Sequence, residues 1–230
     1  MRYYSPENLA RVIDQTLLKP EATRQTIIKF CREARQYRFQ AVFVNSGWVK
    51  HCRLILKGSR TKVGVAIGFP FGAASTAAKL AETKQALADG AEEVDLVLNI
   101  GALKSGMTAD VKKEIRKAVQ LVHRHRKNFK LILETCYLTR DEIIKACRLA
   151  KKAGVDFVKT STGWGPHGAT VEHIKLMKKI VGPNIGVKAS GGIRNLASAK
   201  KMLEAGATRI GTSAGVALLK EAGKGLSDYG

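Results

Sequence analysis

Short apolar runs recur along this chain, each followed by an amphipathic stretch, and the alternation of the two is its first readable feature. Ala41-Val42-Phe43-Val44-Asn45, Val63-Gly64-Val65-Ala66-Ile67-Gly68 and Lys130-Leu131-Ile132-Leu133-Glu134-Thr135 are near-continuous apolar runs that end on polar or glycine positions. Strands buried on both faces read this way. Val12 to Leu18, Glu93 to Asn99, Val155 to Lys159, Ile185 to Lys188 and Arg209 to Ser213 complete eight strand candidates. Helical patterns lie between them. One, opened by Pro20-Glu21-Ala22-Thr23, carries Ile27, Ile28, Phe30, Cys31 and Ala34 inward; another, capped by Thr108, carries Val111, Ile115, Ala118, Val119 and Val122. Further helices are expected from Val49 to Leu56, Thr76 to Gly90, Thr170 to Val181 and Asn195 to Gly206, and after Ser213. Thr139-Arg140-Asp141-Glu142 has the capping-box pattern and opens one that stops at Gly154.

The expected strands end near Asp14, Phe43, Ile67, Asp95, Glu134, Lys159, Lys188 and Gly211, a mean interval of about 28 residues, which is one βα unit. Strict βα alternation predicts a parallel sheet. Eight units in 230 residues predict closure into a (β/α)8 TIM barrel with an extra N-terminal helix, a single domain over residues 1–230. An open doubly wound sheet is the alternative, but no G-x-G-x-x-G follows the first strand.

A barrel of this kind places its chemistry at the carboxyl ends of its strands, which makes Asp14, Asn45, Asp95, Glu134, Lys159 and Lys188 the candidates. Lys159 and Lys188 end consecutive strands and should stand side by side. A free lysine titrates near ~10.4 and is not nucleophilic at neutral pH. Desolvation and a neighbouring cation both disfavour the ammonium form, and a neutral amine attacks carbonyls to form an imine. The competing reading, in which each lysine simply pairs with Asp95 or Glu134, stays open on the pattern alone. Asp95 is the best acid–base candidate, because a carboxylate near two cations stays ionised and can relay protons through water. Its alternative role is to neutralise Lys188. Gly191-Gly192 after the seventh strand, Gly211-Thr212-Ser213 after the eighth, Gly163 after the sixth and the nearby Arg194 mark an expected phosphate site.

Composition changes the picture little. The net charge of +21, from 40 basic and 19 acidic residues, suits nucleic acid or phosphorylated metabolites, but the basic residues are spread over every helical segment. Only His123-Arg124-His125-Arg126-Lys127 is dense, and no aromatic-basic recognition motif accompanies it. Cys31, Cys52, Cys136 and Cys147 have no C-x-x-C spacing, so small core residues are expected rather than a disulfide framework or zinc site. No apolar run has membrane-spanning length, and Met1-Arg2-Tyr3-Tyr4 lacks the apolar core of a leader. The expectation is a cytoplasmic protein with no membrane and no nucleic-acid partner.

Several of these segments together resemble the deoxyribose-phosphate aldolase family over nearly the whole chain. They are Asp14-Gln15-Thr16-Leu17-Leu18, Gly68-Phe69-Pro70-Phe71-Gly72, Glu93-Val94-Asp95 with Asn99, Leu133-Glu134-Thr135, Lys159-Thr160-Ser161-Thr162-Gly163 and Lys188-Ala189-Ser190-Gly191-Gly192-Ile193-Arg194. The resemblance implies a (β/α)8 barrel and reversible cleavage of 2-deoxy-D-ribose 5-phosphate to acetaldehyde and D-glyceraldehyde 3-phosphate. It implies Lys159 as the Schiff-base lysine, Lys188 as its pKa-lowering neighbour and Asp95 as the proton relay. Substrate would be held by Asp14, Thr160, Gly163, Gly191, Gly192, Arg194, Gly211 and Ser213. Neither metal nor organic cofactor is implied, and a homo-oligomer, dimer or tetramer, is expected. Four positions depart from common family patterns. Gln15 stands where histidine is frequent and Phe43 where cysteine is, which suggests a pocket without a thiol. Trp164 stands where some members place lysine, and Ala214 replaces a frequent serine. Another imine-forming or phosphate-binding barrel enzyme and a basic nucleic-acid-binding protein are the readings that compete with this one.

Overall fold

The structure is a computed structural model and describes residues 4–227. Residues 1–3, on which most of the expectation of no leader rests, lie outside the described residues, as do residues 228–230. The chain runs α1 (Pro6–Ala10), β1 (Ile13–Leu17), α2 (Arg24–Gln36), β2 (Ala41–Asn45), α3 (Val49–Ile55), β3 (Lys62–Ile67), α4 (Thr76–Ala88) and β4 (Glu93–Val97). It continues through α5 (Ile100–Lys104), α6 (Thr108–Arg124), β5 (Asn128–Ile132), α7 (Arg140–Ala153) and β6 (Phe157–Lys159). The last elements are α8 (Val171–Val181), β7 (Gly186–Ser190), α9 (Leu196–Glu204), β8 (Arg209–Thr212) and α10 (Gly215–Ser227). All eight strands pair in parallel in sequence order, and β8 closes on β1 through Ile13↔Ile210, Asp14↔Gly211 and Gln15↔Thr212. This is the (β/α)8 barrel with its extra N-terminal helix.

Local chemistry accounts for most element boundaries. Ser5, Thr23, Ser75, Thr139, Thr170 and Asn195 each accept a backbone N–H in the first turn of the helix they precede, and Thr139–Glu142 forms the expected capping box. Gly154 ends α7 at φ 78°. Two expectations need correction, and one element is additional. Thr108 is the first residue of α6 rather than its cap, and its hydroxyl donates to Gly106 O within the preceding turn. Ile28 is half-buried, lying at the edge of the apolar stripe formed by Ile27, Phe30, Cys31 and Ala34. The short α5, capped by the Asn99 side chain on Ala102 N, falls inside a segment that apolar periodicity does not mark.

Strand ends also shift, with a functional consequence. β1 continues past Asp14 to Leu17 because Thr16 and Leu17 keep pairing with Phe43 and Val44. β4 continues past Asp95 to Val97 in the same way, against Leu131 and Ile132 of β5. Both carboxylates therefore sit at mid-strand depth, below the mouth.

The apolar core lies mainly between barrel and helices; the barrel's interior is charged. Asp14, Glu93, Asp95, Lys130 and Lys188 are fully buried there, with Lys159 and Arg209 almost so. Phe43, also fully buried, forms an apolar base for them, its ring centroid 3.6 Å from Lys188 Nζ and 4.4 Å from Lys130 Nζ. The ring fills the space left by Gly64 on the adjacent strand. Removing it leaves a void under three ammonium groups and deletes their contact with a π face. Phe43→Ala is therefore expected to cost about 3–5 kcal/mol of stability, read as a lower urea midpoint at unchanged m-value. A loss below about 1 kcal/mol would show that the ring does not support the interior.

Candidate active site

The strands bring four cations and three carboxylates into one buried cage. Asp95 lies at its centre. Its Oδ2 is 3.0 Å from Lys159 Nζ and 2.8 Å from Lys188 Nζ, and its Oδ1 is 3.0 Å from Lys130 Nζ. Asp14 Oδ2 is 2.6 Å from Lys188 Nζ, and Asp14 Oδ1 is 2.6 Å from Arg209 Nη1. Glu93 pairs with Lys130 and, at 3.1 Å, with Arg209. Adjacent strands do this by register: Asp95 pairs with Lys130, Lys159 with Lys188, and Lys188 with Arg209.

Burial and charge oppose one another in every member of the cage. Desolvation alone would raise the Asp95 carboxyl, but Lys130, Lys188 and Lys159 together outweigh it and hold the group far below the ordinary carboxylate range. Asp14 behaves similarly: burial raises it, while Lys188, Arg209 and Lys130 bring it below its usual value. Burial would lower Lys130, yet Asp95, Glu93 and Asp14 leave it raised. Lys188 goes the other way. Desolvation, reinforced by Lys159 and Lys130, wins over Asp14 and Asp95 and brings it down to about 8. The partly exposed Lys62 also reaches Glu93 Oε1 at 3.6 Å, so cations outnumber the three buried carboxylates.

Above the cage a cleft of about 380 Å³ opens between the carboxyl ends of β1, β6, β7 and β8. Of the caged lysines only Lys159 lines it, at 3% exposure, while Lys188 is sealed below. Gly163, Gly191, Gly192, Arg194, Gly211 and Ser213 line it as well. Asp14, Asp95 and Thr160 do not. Thr160 instead clips β6 to β7, its hydroxyl donating to Ser190 O at 3.0 Å and accepting from Ser190 N at 3.1 Å. Gly211 does more than line the opening: a Cβ there would come within 2.9 Å of Lys188 Cε, so its missing side chain leaves the lysine stem room to pass. Gly191, at φ 86°, approaches Gly168 so closely that a Cβ would lie 2.8 Å from its Cα. Arg194 has no ion-pair partner among the described residues and is free to meet an anion. None of the histidines lines the cleft.

Sequence reasoning passes over several parts of this site. Lys130, Glu93 and Arg209 complete the cage, and the available signal was a charge inside an apolar run, as in Phe129-Lys130-Leu131, or at i and i+2, as in Glu93 and Asp95. Glu134 is no lysine partner. Held at φ 56°, in the left-handed region, it accepts from Thr162 N at 3.0 Å and from the Thr162 hydroxyl, ordering the loop after β6. Phe43 lies beneath the cleft rather than in its wall, so its place there says nothing about a thiol in the pocket. Trp164 does flank the cleft, half-exposed, edge-on to Phe69 with centroids 6.3 Å apart. Among the described residues, no group of three or more His, Cys, Asp or Glu side chains could hold a metal ion, and no helix is long and apolar enough to cross a membrane.

Comparison with known proteins agrees with this geometry. The DeoC/LacD family aldolase profile matches residues 9–222. Deoxyribose-phosphate aldolase 1 of Oceanobacillus iheyensis is 52% identical over 222 residues, spanning 96% of this chain and 100% of the relative. The deoxyribose-phosphate aldolase of Thermococcus kodakarensis is 54% identical over 216 residues, 93% of this chain and 96% of the relative. Among solved structures, deoxyribose phosphate aldolase from Aeropyrum pernix, described as a unique tetramer, superposes with a TM-score of 0.89 at 34% identity, covering 96% of this chain and 93% of that one. A lysine cage opening on a glycine-rimmed cleft is thus found in a chain that belongs to the DeoC/LacD aldolase family.

Proposed function

We propose that the chain cleaves 2-deoxy-D-ribose 5-phosphate reversibly to acetaldehyde and D-glyceraldehyde 3-phosphate, with Lys159 forming the covalent intermediate. One observation carries the assignment: of the amines gathered around Asp95, Lys159 alone reaches the cleft.

In the cleavage direction, the Lys159 amine adds to the C1 aldehyde of the open-chain sugar, and loss of water leaves an iminium. Departure of the C3 hydroxyl proton lets the C2–C3 electron pair move into that iminium. The three-carbon phosphate leaves as an aldehyde and C2 remains as an enamine. Protonation at C2 and addition of water release acetaldehyde and return the amine. Asp95 Oδ2, shared by the two amines, serves as the acceptor through which protons pass between Lys159 and Lys188. Asp14 and Arg209 fix Lys188 from below. The phosphate is met by the backbone at Gly163 and Gly191-Gly192, by Ser213 and by Arg194. Trp164 leaves an aromatic edge where a further cation would otherwise stand. The tetrameric relative supports assembly of this chain as a homo-oligomer, dimer or tetramer, and a solution mass equal to one chain by light scattering would contradict that.

Acetaldehyde followed by borohydride is expected to leave a two-carbon adduct on Lys159, located by peptide mass mapping. Lys159→Ala should lose both the adduct and turnover, by about 10⁴-fold or more. An adduct on another lysine with activity retained would reject the assignment.

Lys188→Leu removes the buried amine that shares Asp95 Oδ2 with Lys159, and with it the cation beside the reacting amine. The acid limb of its pH profile for kcat/KM should therefore move to higher pH by about one unit or more. A profile that coincides with that of the parent protein would show that Lys188 does not govern the reacting amine.

A further inference from the structure

Gln15 takes no part in the cage, although it lies next to Asp14 on β1. Strand alternation turns it to the outside of the barrel, beneath the first turn of α10, where it is 5% exposed. Both ends of its amide are engaged. Nε2 donates to Ser213 O at 3.2 Å, and Oε1 accepts from Gly215 N at 3.0 Å. The oxygen must face the N–H and the nitrogen the carbonyl, so reversing the amide would break both bonds at once. Gly215 opens α10, so Gln15 satisfies an amide that has no partner within the helix. A side chain at Gly215 would strike Gln15 Oε1 and come within 2.9 Å of the Phe39 ring. The amide is therefore clamped tightly against this turn.

The clamped turn carries part of the cleft. Ser213 lines the opening with an exposed side chain, and the next residue, Ala214, has no polar side chain of its own to hold the loop. The remaining support comes from Thr212, whose hydroxyl accepts from Ala214 N at 2.9 Å and donates to Ile193 O at 2.6 Å. Ile193 follows Gly191-Gly192 directly. Two side chains, Gln15 and Thr212, thus tie the loop after β8 both to β1 and to the loop after β7. The Ala214 and Gly215 amides are consumed in doing so, which leaves the loop to act through the position of Ser213 rather than by offering those amides to a ligand.

We infer that Gln15 is a positioning residue for the phosphate end of the substrate. It never touches the sugar phosphate, but it holds Ser213 where a phosphate oxygen can be met, opposite Arg194. The inference rests on the proposed function, and it divides the two ends of the substrate: the carbonyl end depends on the cage, the phosphate end on this clamp. Loss of the clamp should therefore raise KM for a phosphorylated substrate without matching damage to the imine chemistry.

The test uses the full chain with Gln15→Leu, which keeps side-chain bulk and removes both hydrogen bonds, and Gln15→Glu, which keeps the acceptor for Gly215 N and loses the donor to Ser213 O. Steady-state kinetics compare 2-deoxyribose 5-phosphate with 2-deoxyribose, and acetaldehyde–borohydride labelling of Lys159 reports the imine step separately. Gln15→Leu is expected to raise KM for the phosphorylated sugar by about ten-fold while kcat and the cleavage of 2-deoxyribose each change by less than about three-fold. Inorganic phosphate should inhibit it correspondingly less than it inhibits the parent protein, and Gln15→Glu should fall between the two. Equal losses on both sugars would reduce Gln15 to a structural support and overturn the inference, as would unchanged discrimination between them. If Gln15→Leu does not fold, Gln15→Glu alone decides by the same ratio. Failure of the parent protein to label at Lys159 would instead remove the proposed function on which the inference stands.

Discussion

Four cations buried with three carboxylates inside one barrel are the constraint on which the rest of the structure depends. A buried charge is costly unless paired, and breaking any one pair leaves its partner exposed to that cost. The arrangement resolves most of the charge by pairing and leaves cations in excess. Lys130 and Arg209, each held by at least two carboxylates, keep their protons. Lys188, brought to about 8, lies at the edge of losing its own, with Lys159 on the other side of the same Asp95 oxygen.

The surroundings of the cage follow from what it demands. The buried side chains need room, and small residues of the adjacent strands supply it: Gly211 beside the Lys188 stem, Gly64 beside the Phe43 ring. Phe43 in turn offers the buried ammonium groups a π face. The mouth is built on a different principle. There the loops are held by single polar side chains, Glu134 on Thr162, Thr160 on Ser190, Thr212 on Ile193 and Gln15 on Ser213 and Gly215. The base is thus charged and enclosed, whereas each rim loop is fastened separately.

Much of this was open to reading from the chain alone. Parallel strands buried on both faces must be apolar, helix starts need capping side chains, and the repeat of the two over 230 residues leaves little besides a closed barrel. The sequence by itself also determined that Lys159 and Lys188 stand on adjacent strands, because order along the chain is order around the barrel, and Lys159↔Lys188 is the register found, although β7 runs on past Lys188 to Ser190. The glycine-bearing ends of β7 and β8 were legible for the same reason.

What only the tertiary structure decided is depth and company. Alternation along a strand says that Asp14 and Gln15 face opposite ways, not how far below the mouth either lies, and pairing partners on β2 and β5 carried β1 and β4 past the acids that had looked terminal. Asp14 meets Arg209 across 195 residues of chain, Lys188 meets Asp95 across 93, and Gln15 clamps Gly215 across 200. Coulomb forces and hydrogen bonds act through space, so Lys130, Glu93 and Arg209 acquire their roles only when closure places them within reach of one another. Propensity and pattern are local and survive in the sequence. The protonation of a caged lysine is a property of the closed barrel.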